Sequence, residues 1–141
     1  MRKIIGLIIL ALFLFSCKEN PIEKTEEAYP NNSPKVVGVY KLNENQEEIK
    51  IEEKILFPTG ELKMQGPIAN NLRHGVWVAY FKSGKKQSEG EFVNGVRNGF
   101  TIVYYENGNK LYEGFYTDGK ESGIWKFYSK DGSLNSEKKI D

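Results

Sequence analysis

FPTGELKMQGPIANNLRHGVWVAY (residues 57–80), FKSGKKQSEGEFVNGVRNGFTIVY (81–104) and YENGNKLYEGFYTDGKESGIWKFY (105–128) are one pattern written three times, and SKDGSLNSEKKID (129–141) begins it again. The period is 24 residues. Glycines recur in three columns: Gly60, Gly84, Gly108 and Gly132; Gly66, Gly90 and Gly114; Gly75, Gly99 and Gly123. Tyr80, Tyr104 and Tyr128 close the full units, and an apolar residue (Val76, Phe100, Ile124) follows each glycine of the third column. A fixed period of this length marks a repeat architecture, in which each unit buries its surface against its neighbours.

Each unit reads as two strands and two turns. One set of turns is Pro58-Thr59-Gly60-Glu61, Lys82-Ser83-Gly84-Lys85, Glu106-Asn107-Gly108-Asn109 and Lys130-Asp131-Gly132-Ser133. Asn107-Gly108 and Asp131-Gly132 predict hairpins with positive φ at both turn positions. The other set is slightly longer, from Asn70 to Gly75, Asn94 to Gly99 and Asp118 to Gly123. Between them lie segments such as Val76 to Phe81, β-branched and aromatic and too short for stable helices, so the fold class is all-β. In the second strand of each unit one face carries Val76, Val78, Tyr80; Phe100, Ile102, Tyr104; and Ile124, Lys126, Tyr128. The other carries Trp77, Ala79, Phe81; Thr101, Val103, Tyr105; and Trp125, Phe127, Ser129. Both faces are largely apolar, which predicts strands covered on both sides. Gly66, Gly90 and Gly114 fall in mid-strand; either rings from adjacent strands lie over them or they mark bulges.

Upstream, Val36 to Tyr40 and Glu48 to Phe57 read as strands around the turn Asn43-Glu44-Asn45, with a ragged helix as the alternative for the second. Residues 36–56 are expected to cap the sheet. Residues 17–35 are polar and hold Pro21, Pro30 and Pro34, which predicts a flexible tether. Residues 135–141 are expected to form a tail. At the start, Arg2 and Lys3 precede an apolar run from Ile4 to Phe15. That run is too short for a spanning helix and has the length of an export signal, a retained anchor or a buried helix being the alternatives.

Two resemblances extend this reading. Leu14-Phe15-Ser16-Cys17 resembles the lipobox of bacterial lipoproteins, which implies removal of residues 1–16 and lipidation of Cys17. Two or three acyl chains hold a protein to a membrane far more firmly than one. With Lys18 after the cysteine, that resemblance implies anchorage in the bacterial outer membrane, on either side of it. The repeats resemble the MORN-repeat-variant family, most closely in Tyr105-Glu106-Asn107-Gly108, Glu113-Gly114-Phe115-Tyr116 and Gly123-Ile124-Trp125-Lys126-Phe127-Tyr128. The second unit has Thr101 where tryptophan is usual, and the first has Gln65-Gly66-Pro67 in place of glutamate-glycine. The resemblance covers residues 57–134, as units 57–80, 81–104, 105–128 and the partial 129–134. It implies a twisted, single-layer antiparallel meander of 24-residue β-hairpin units. Many such proteins are labelled antitoxins, which makes neutralisation of a partner toxin the alternative role.

Catalytic chemistry has little to work with. His74 is the only histidine and Cys17 the only cysteine, so neither a zinc site nor an intrachain disulfide can be assembled, and no motif calls for a cofactor. Lys and Arg number 20 against 19 Asp and Glu, which gives no basic field for nucleic acid. Glu89 and Glu113, with Glu137 in register, could flank a sugar. One repeat apart they stand two strands apart, about 9.5 Å, near the upper limit for a glycosidase pair. Hydrogen bonds from turn backbone or from neighbouring Lys and Arg are the simpler role. The exposed rings are the better lead: the expected function is a non-enzymatic envelope lipoprotein, a binding or scaffold module offering an aromatic face to a protein, peptide or glycan. Trp77, Phe81, Tyr105, Trp125 and Phe127 are the candidate binding face, with a thin core as the alternative role for the same rings.

Overall fold

The structure is a computed structural model and describes residues 20–140. The export signal, the lipobox and Cys17 lie outside the described residues. Eleven strands follow in chain order: β1 (Ile22–Ala28), β2 (Pro34–Leu42), β3 (Glu48–Leu56), β4 (Leu62–Ala69), β5 (Leu72–Arg73), β6 (Gly75–Tyr80), β7 (Lys86–Val93), β8 (Val96–Tyr104), β9 (Lys110–Thr117), β10 (Lys120–Tyr128) and β11 (Leu134–Ile140). They form one open antiparallel sheet in sequence order, with the short β5 pairing β4 just before β6 does so. The all-β meander read from the repeat is the observed fold, with two strands per unit. No helix among the described residues is long and apolar enough to cross a membrane.

The two columns of turns differ from expectation in an instructive way. At Asn107-Gly108 only the glycine has positive φ, +94°. The Gly108 N–H donates to Tyr105 O at 2.9 Å and the Tyr105 N–H to Asn109 O at 2.8 Å. This is a three-residue loop, a tight turn followed by a left-handed glycine. Asn107 contributes its side chain instead of its backbone freedom, its Oδ1 accepting the Asn109 N–H at 3.1 Å. The two-residue turns with positive φ at both positions are in the other column: Asn70-Asn71 (51°, 60°), Asn94-Gly95 (50°, 83°) and Asp118-Gly119 (48°, 81°). Gly75, Gly99 and Gly123 therefore lie beyond the turns, at strand irregularities. In β7–β8 the register jumps from Phe92↔Arg97 to Gly90↔Thr101, and in β9–β10 from Phe115↔Ser122 to Glu113↔Lys126. The extra residues bulge around Gly99 and Gly123. In the first unit the same irregularity separates β5 from β6, and the His74 N–H donates to Pro67 O at 3.1 Å.

Successive units are also tied at their tips. The Gly95 N–H donates to Arg73 O and the Gly119 N–H to Arg97 O, both at 2.8 Å. On the opposite edge Tyr105 Oη donates to Tyr128 O at 3.1 Å and Asn107 Nδ2 to Lys130 O at 2.6 Å.

Four further expectations are corrected. The tether predicted over 17–35 includes an ordered strand, β1, paired with β2 from Ile22↔Tyr40 to Ala28↔Pro34. It is exposed along its whole length, so burial does not hold it. Main-chain pairing does, with ion pairs Lys50–Glu26 and Lys54–Glu23, both at 2.6 Å, and Lys35–Glu27 at 2.8 Å. The residues expected as remnant and tail form β11, paired with β10 from Gly123↔Ile140 to Tyr128↔Leu134. Among the described residues the edges of the sheet are thus β1 and β11, not residues 36–56. The faces are also unequal: Trp77, Ala79 and Trp125 are buried, while Val76, Phe115 and Ile124 on the other side are exposed.

Candidate functional site

One row of residues crosses the repeat region of the sheet. Trp77 faces Gly90, Gly90 faces Thr101, Thr101 faces Gly114, and beyond Gly114 stands Trp125. Trp77 and Trp125 are each 3% exposed. Each indole lies over the mid-strand glycine of the preceding strand: a Cβ on Gly66 would fall under 3.0 Å from Trp77 Cγ, Cδ1 and Cδ2, and one on Gly114 under 3.0 Å from Trp125 Cδ2, Cε2 and Cε3. Absence of a side chain at these positions is what lets the rings lie flat on the sheet. Of the three mid-strand glycines for which the sequence offers a covering ring or a bulge, Gly66 and Gly114 carry rings. The ring expected over Gly90 is absent because Thr101 stands in the tryptophan position. The Cβ position of Gly90 is 3.4 Å from Thr101 Oγ1 and 3.5 Å from Arg97 Nη1, ordinary contacts.

The missing ring leaves a cleft of about 280 Å³. Met64, Ala79, Ser88, Val103 and Tyr112 lie along one side of it, and Arg73, Phe92 and Arg97 along the other. Ala79 faces Ser88 and Ser88 faces Val103, so small side chains keep the floor low beside Gly90. The two arginines occupy equivalent positions of successive units. The Arg73 guanidinium stands 4.1 Å from the Trp77 ring centroid and 5.8 Å from that of Phe92. That of Arg97 stands 5.3 Å from Phe92 and 5.4 Å from Tyr116. Tyr116 in turn meets Trp125 edge to face at 5.3 Å. Neither arginine forms an ion pair among the described residues. The Trp77 Nε1 donates to Pro67 O at 3.0 Å, whereas Trp125 Nε1 is buried without a partner among the described residues.

The opposite face holds its charge differently. Glu89 accepts hydrogen bonds from Tyr104 Oη at 2.5 Å and Lys86 Nζ at 2.9 Å; Glu113 accepts from Tyr128 Oη and Lys110 Nζ, both at 2.5 Å. Ile102 sits between the two glutamates, paired with each. Partial burial pushes the Glu89 carboxyl up, but the bonds from Tyr104 and Lys86 outweigh it and hold the group below the ordinary carboxylate value. Lys110 and Tyr128 hold Glu113 low as well. Both glutamates are thus stabilised as anions, where an inverting or retaining glycosidase needs one carboxyl protonated. Lysines supply part of the bonding, as expected, but the tyrosine that closes each unit is the partner the sequence did not reveal.

Burial, then the bond to Glu89, raises the Tyr104 hydroxyl to about 12. The linkage signs follow. The lowered Glu89 and Glu113 values contribute stability at neutral pH that is lost as pH falls below about 4.5, the unfolded value. The raised Tyr104 value contributes stability that is full below about 10 and is lost as pH rises from there towards 12. Denaturant titrations at stepped pH should show an alkaline fall in stability that is shallower in Tyr104→Phe; an unchanged slope would dissociate Tyr104 from it.

Of the rings expected on an open binding face, Trp77 and Trp125 belong to the core instead, because a glycine on the neighbouring strand seats each of them. Phe81 and Tyr105 are half-buried at the turn edge, and Phe127 is half-buried beside Tyr112, with ring centroids 6.2 Å apart. Among the described residues no group of His, Cys, Asp and Glu is placed to hold a metal ion; His74 is exposed at the break between β5 and β6. Arg73, Phe92, Arg97 and Tyr112 were not singled out from sequence. The one available signal was Thr101 standing in a tryptophan column.

Residues 73–94 and 98–118 match the family model for the MORN repeat variant, so these two stretches are MORN-variant repeats. They include Arg73, Trp77, Phe92, Thr101 and Tyr112, and Arg97 stands between them. Comparison with curated proteins and with solved structures gave no match.

Proposed function

We propose that this protein is a non-enzymatic, lipid-tethered binding module of the bacterial envelope, which takes part of a protein, peptide or glycan into the cleft over Gly90 and Thr101. The MORN-variant repeats support the coarser part, a repeat-built binding or scaffold module. The observation that carries the finer part is the interruption of the tryptophan row at Thr101, which opens a cleft beside two arginines that form no ion pair among the described residues. Pockets with an apolar floor and a few convergent polar groups are the usual form of a ligand site.

Tagged full-length protein, purified from detergent-solubilised envelope, should recover a stoichiometric partner that Thr101→Trp fails to recover while remaining folded. Equal recovery by both proteins would remove the cleft from the binding surface. The tether has its own test. Cys17→Ala should abolish labelling by a fatty-acid analogue and shift the protein to the soluble fraction; a full-length, membrane-bound variant would instead make Ile4 to Phe15 a retained anchor.

A further inference from the structure

We infer that the cleft accepts a planar aromatic ring bearing a carboxylate, with the ring over Gly90 and the carboxylate between Arg73 and Arg97. This rests on the binding-module reading and names the class of ligand. The first argument is periodicity. A glycine within a strand lowers stability unless something uses the space above it. Over Gly66 and Gly114 that space is filled by indoles of this chain; over Gly90, in the same row, the nearest atoms are Thr101 Oγ1, Arg97 Nη1 and the Phe100 carbonyl oxygen, none of them a ring and all at ordinary contact distance. The gap thus stands where the repeat elsewhere places a flat ring, and it is walled by Trp77, Phe92 and Tyr112. Its 280 Å³ falls just below the usual range of ligand sites, about 300 Å³ and upward, which suits one ring system and a short substituent.

Charge supplies the second argument. Arg73 and Arg97 both lie within 6 Å of the Phe92 ring centroid, so two cations share one ring. Each guanidinium stands over aromatic rings, and its N–H groups form a planar fork suited to a two-pronged acceptor. Among the described residues, the one hydrogen bond in which either guanidinium takes part is the long one from Arg97 Nη1 to Thr101 Oγ1, at 3.5 Å. Neighbouring carboxylates do not serve: Glu89 and Glu113 are bound to tyrosine and lysine on the opposite face, and Glu121, in the column of Arg73 and Arg97, makes no ion pair with Arg97. A carboxylate brought by the ligand offsets the repulsion between the arginines, and its ring meets the same cations through its face.

Indole-3-acetate is the probe, with indole and acetate as controls that each keep one of its two features. On the ¹⁵N-labelled full chain in detergent micelles, indole-3-acetate should shift the Gly90 amide and the Arg73 and Arg97 Nε signals saturably, with half-saturation on the order of 1 mM. Indole or acetate alone should bind at least about tenfold more weakly, and Arg97→Gln should weaken the probe by about tenfold, the scale of one charge-assisted hydrogen bond. Thr101→Trp should abolish the shifts; Gly90→Leu, which raises the floor instead, is the second blocking variant should the first misfold. No saturable shift, an equal response to acetate alone, or binding retained in a folded blocking variant would overturn the proposal. If the envelope partner is lost with Thr101→Trp while indole-3-acetate gives no shift, the binding module stands and the ligand class is wrong. If the probe binds and partner recovery ignores Thr101→Trp, the ligand class stands and the partner docks elsewhere.

Discussion

Gly114→Ala is expected to cost about 3–5 kcal/mol, close to the loss of a buried tryptophan, because the new Cβ takes the space in which the Trp125 ring lies. Gly66→Ala should do the same through Trp77, whose Cγ, at the root of the side chain, is among the atoms met, so the ring cannot simply swing aside. Gly90→Ala, in the same column of the repeat, meets nothing closer than 3.4 Å. A glycine-to-alanine change in a conformation alanine accepts gains about 0.4–1 kcal/mol from the unfolded state, so this variant should be neutral or slightly more stable. Thermal melts of the three full-length variants decide the matter: two should fall by on the order of 10 °C or more and one should not. Equal losses at all three would mean that the strand backbone requires glycine there for a reason unrelated to the rings.

The second large effect concerns the unit itself. Deleting Lys85 to Gly108 removes β7 and β8 and joins Gly84 to Asn109, the residue equivalent to Lys85 in the next turn. Trp77 then faces Gly114, the Gly119 N–H reaches Arg73 O in place of Gly95, and every rung keeps a neighbour of the kind it had. The protein should fold, with lower stability and without the cleft, as stacked repeats lose nearest-neighbour terms one at a time. Deleting Lys85 to Val96 instead joins Gly84 to Arg97 and sets β8 directly after β6, strands that run in the same direction and cannot form a hairpin. That product should be unfolded or aggregated. Circular dichroism and proton NMR on the two proteins should separate them completely; collapse of both would argue for a closed β domain rather than modular units.

How much of this was legible in the sequence depends on how far apart the interacting residues lie. Turn positions and strand number follow from spacing within a unit, and the repeat displays them three times. A ring over a mid-strand glycine is one of two readings of that spacing; that Trp77 and Trp125 supply it, instead of a binding face, needs the pairing of neighbouring strands. The turn types were exchanged because Asn107-Gly108 and Asn94-Gly95 are the same dipeptide; the bulges at Gly99 and Gly123, which decide the register, are not written in either. Residues 17–35 and 135–141 read as tether and tail because apolar periodicity is the usual mark of a strand, whereas β1 and β11 are held by main-chain pairing and lysine–glutamate contacts. The cleft needed the row across strands: Thr101 was visible as a departure, but that Gly90 would lie uncovered, between arginines from two different units, follows only from pairing residues across β6, β7 and β8.

An array of near-identical rungs has no intrinsic length, since each end exposes the same unpaired backbone that the next rung would use. In this chain the first and last rungs differ in kind from those between them. Glu23, Lys24, Glu26 and Glu27 line one margin and Glu137, Lys138 and Lys139 the other, with hardly a buried side chain on either. An incoming strand would gain main-chain bonds there but would have to lie against hydrated charge, with little apolar surface to cover in return. Charged margins of this kind disfavour strand-to-strand pairing between molecules, and the expected consequence is colloidal: copies of this sheet crowded at high local density should not zip into fibres through β1 or β11.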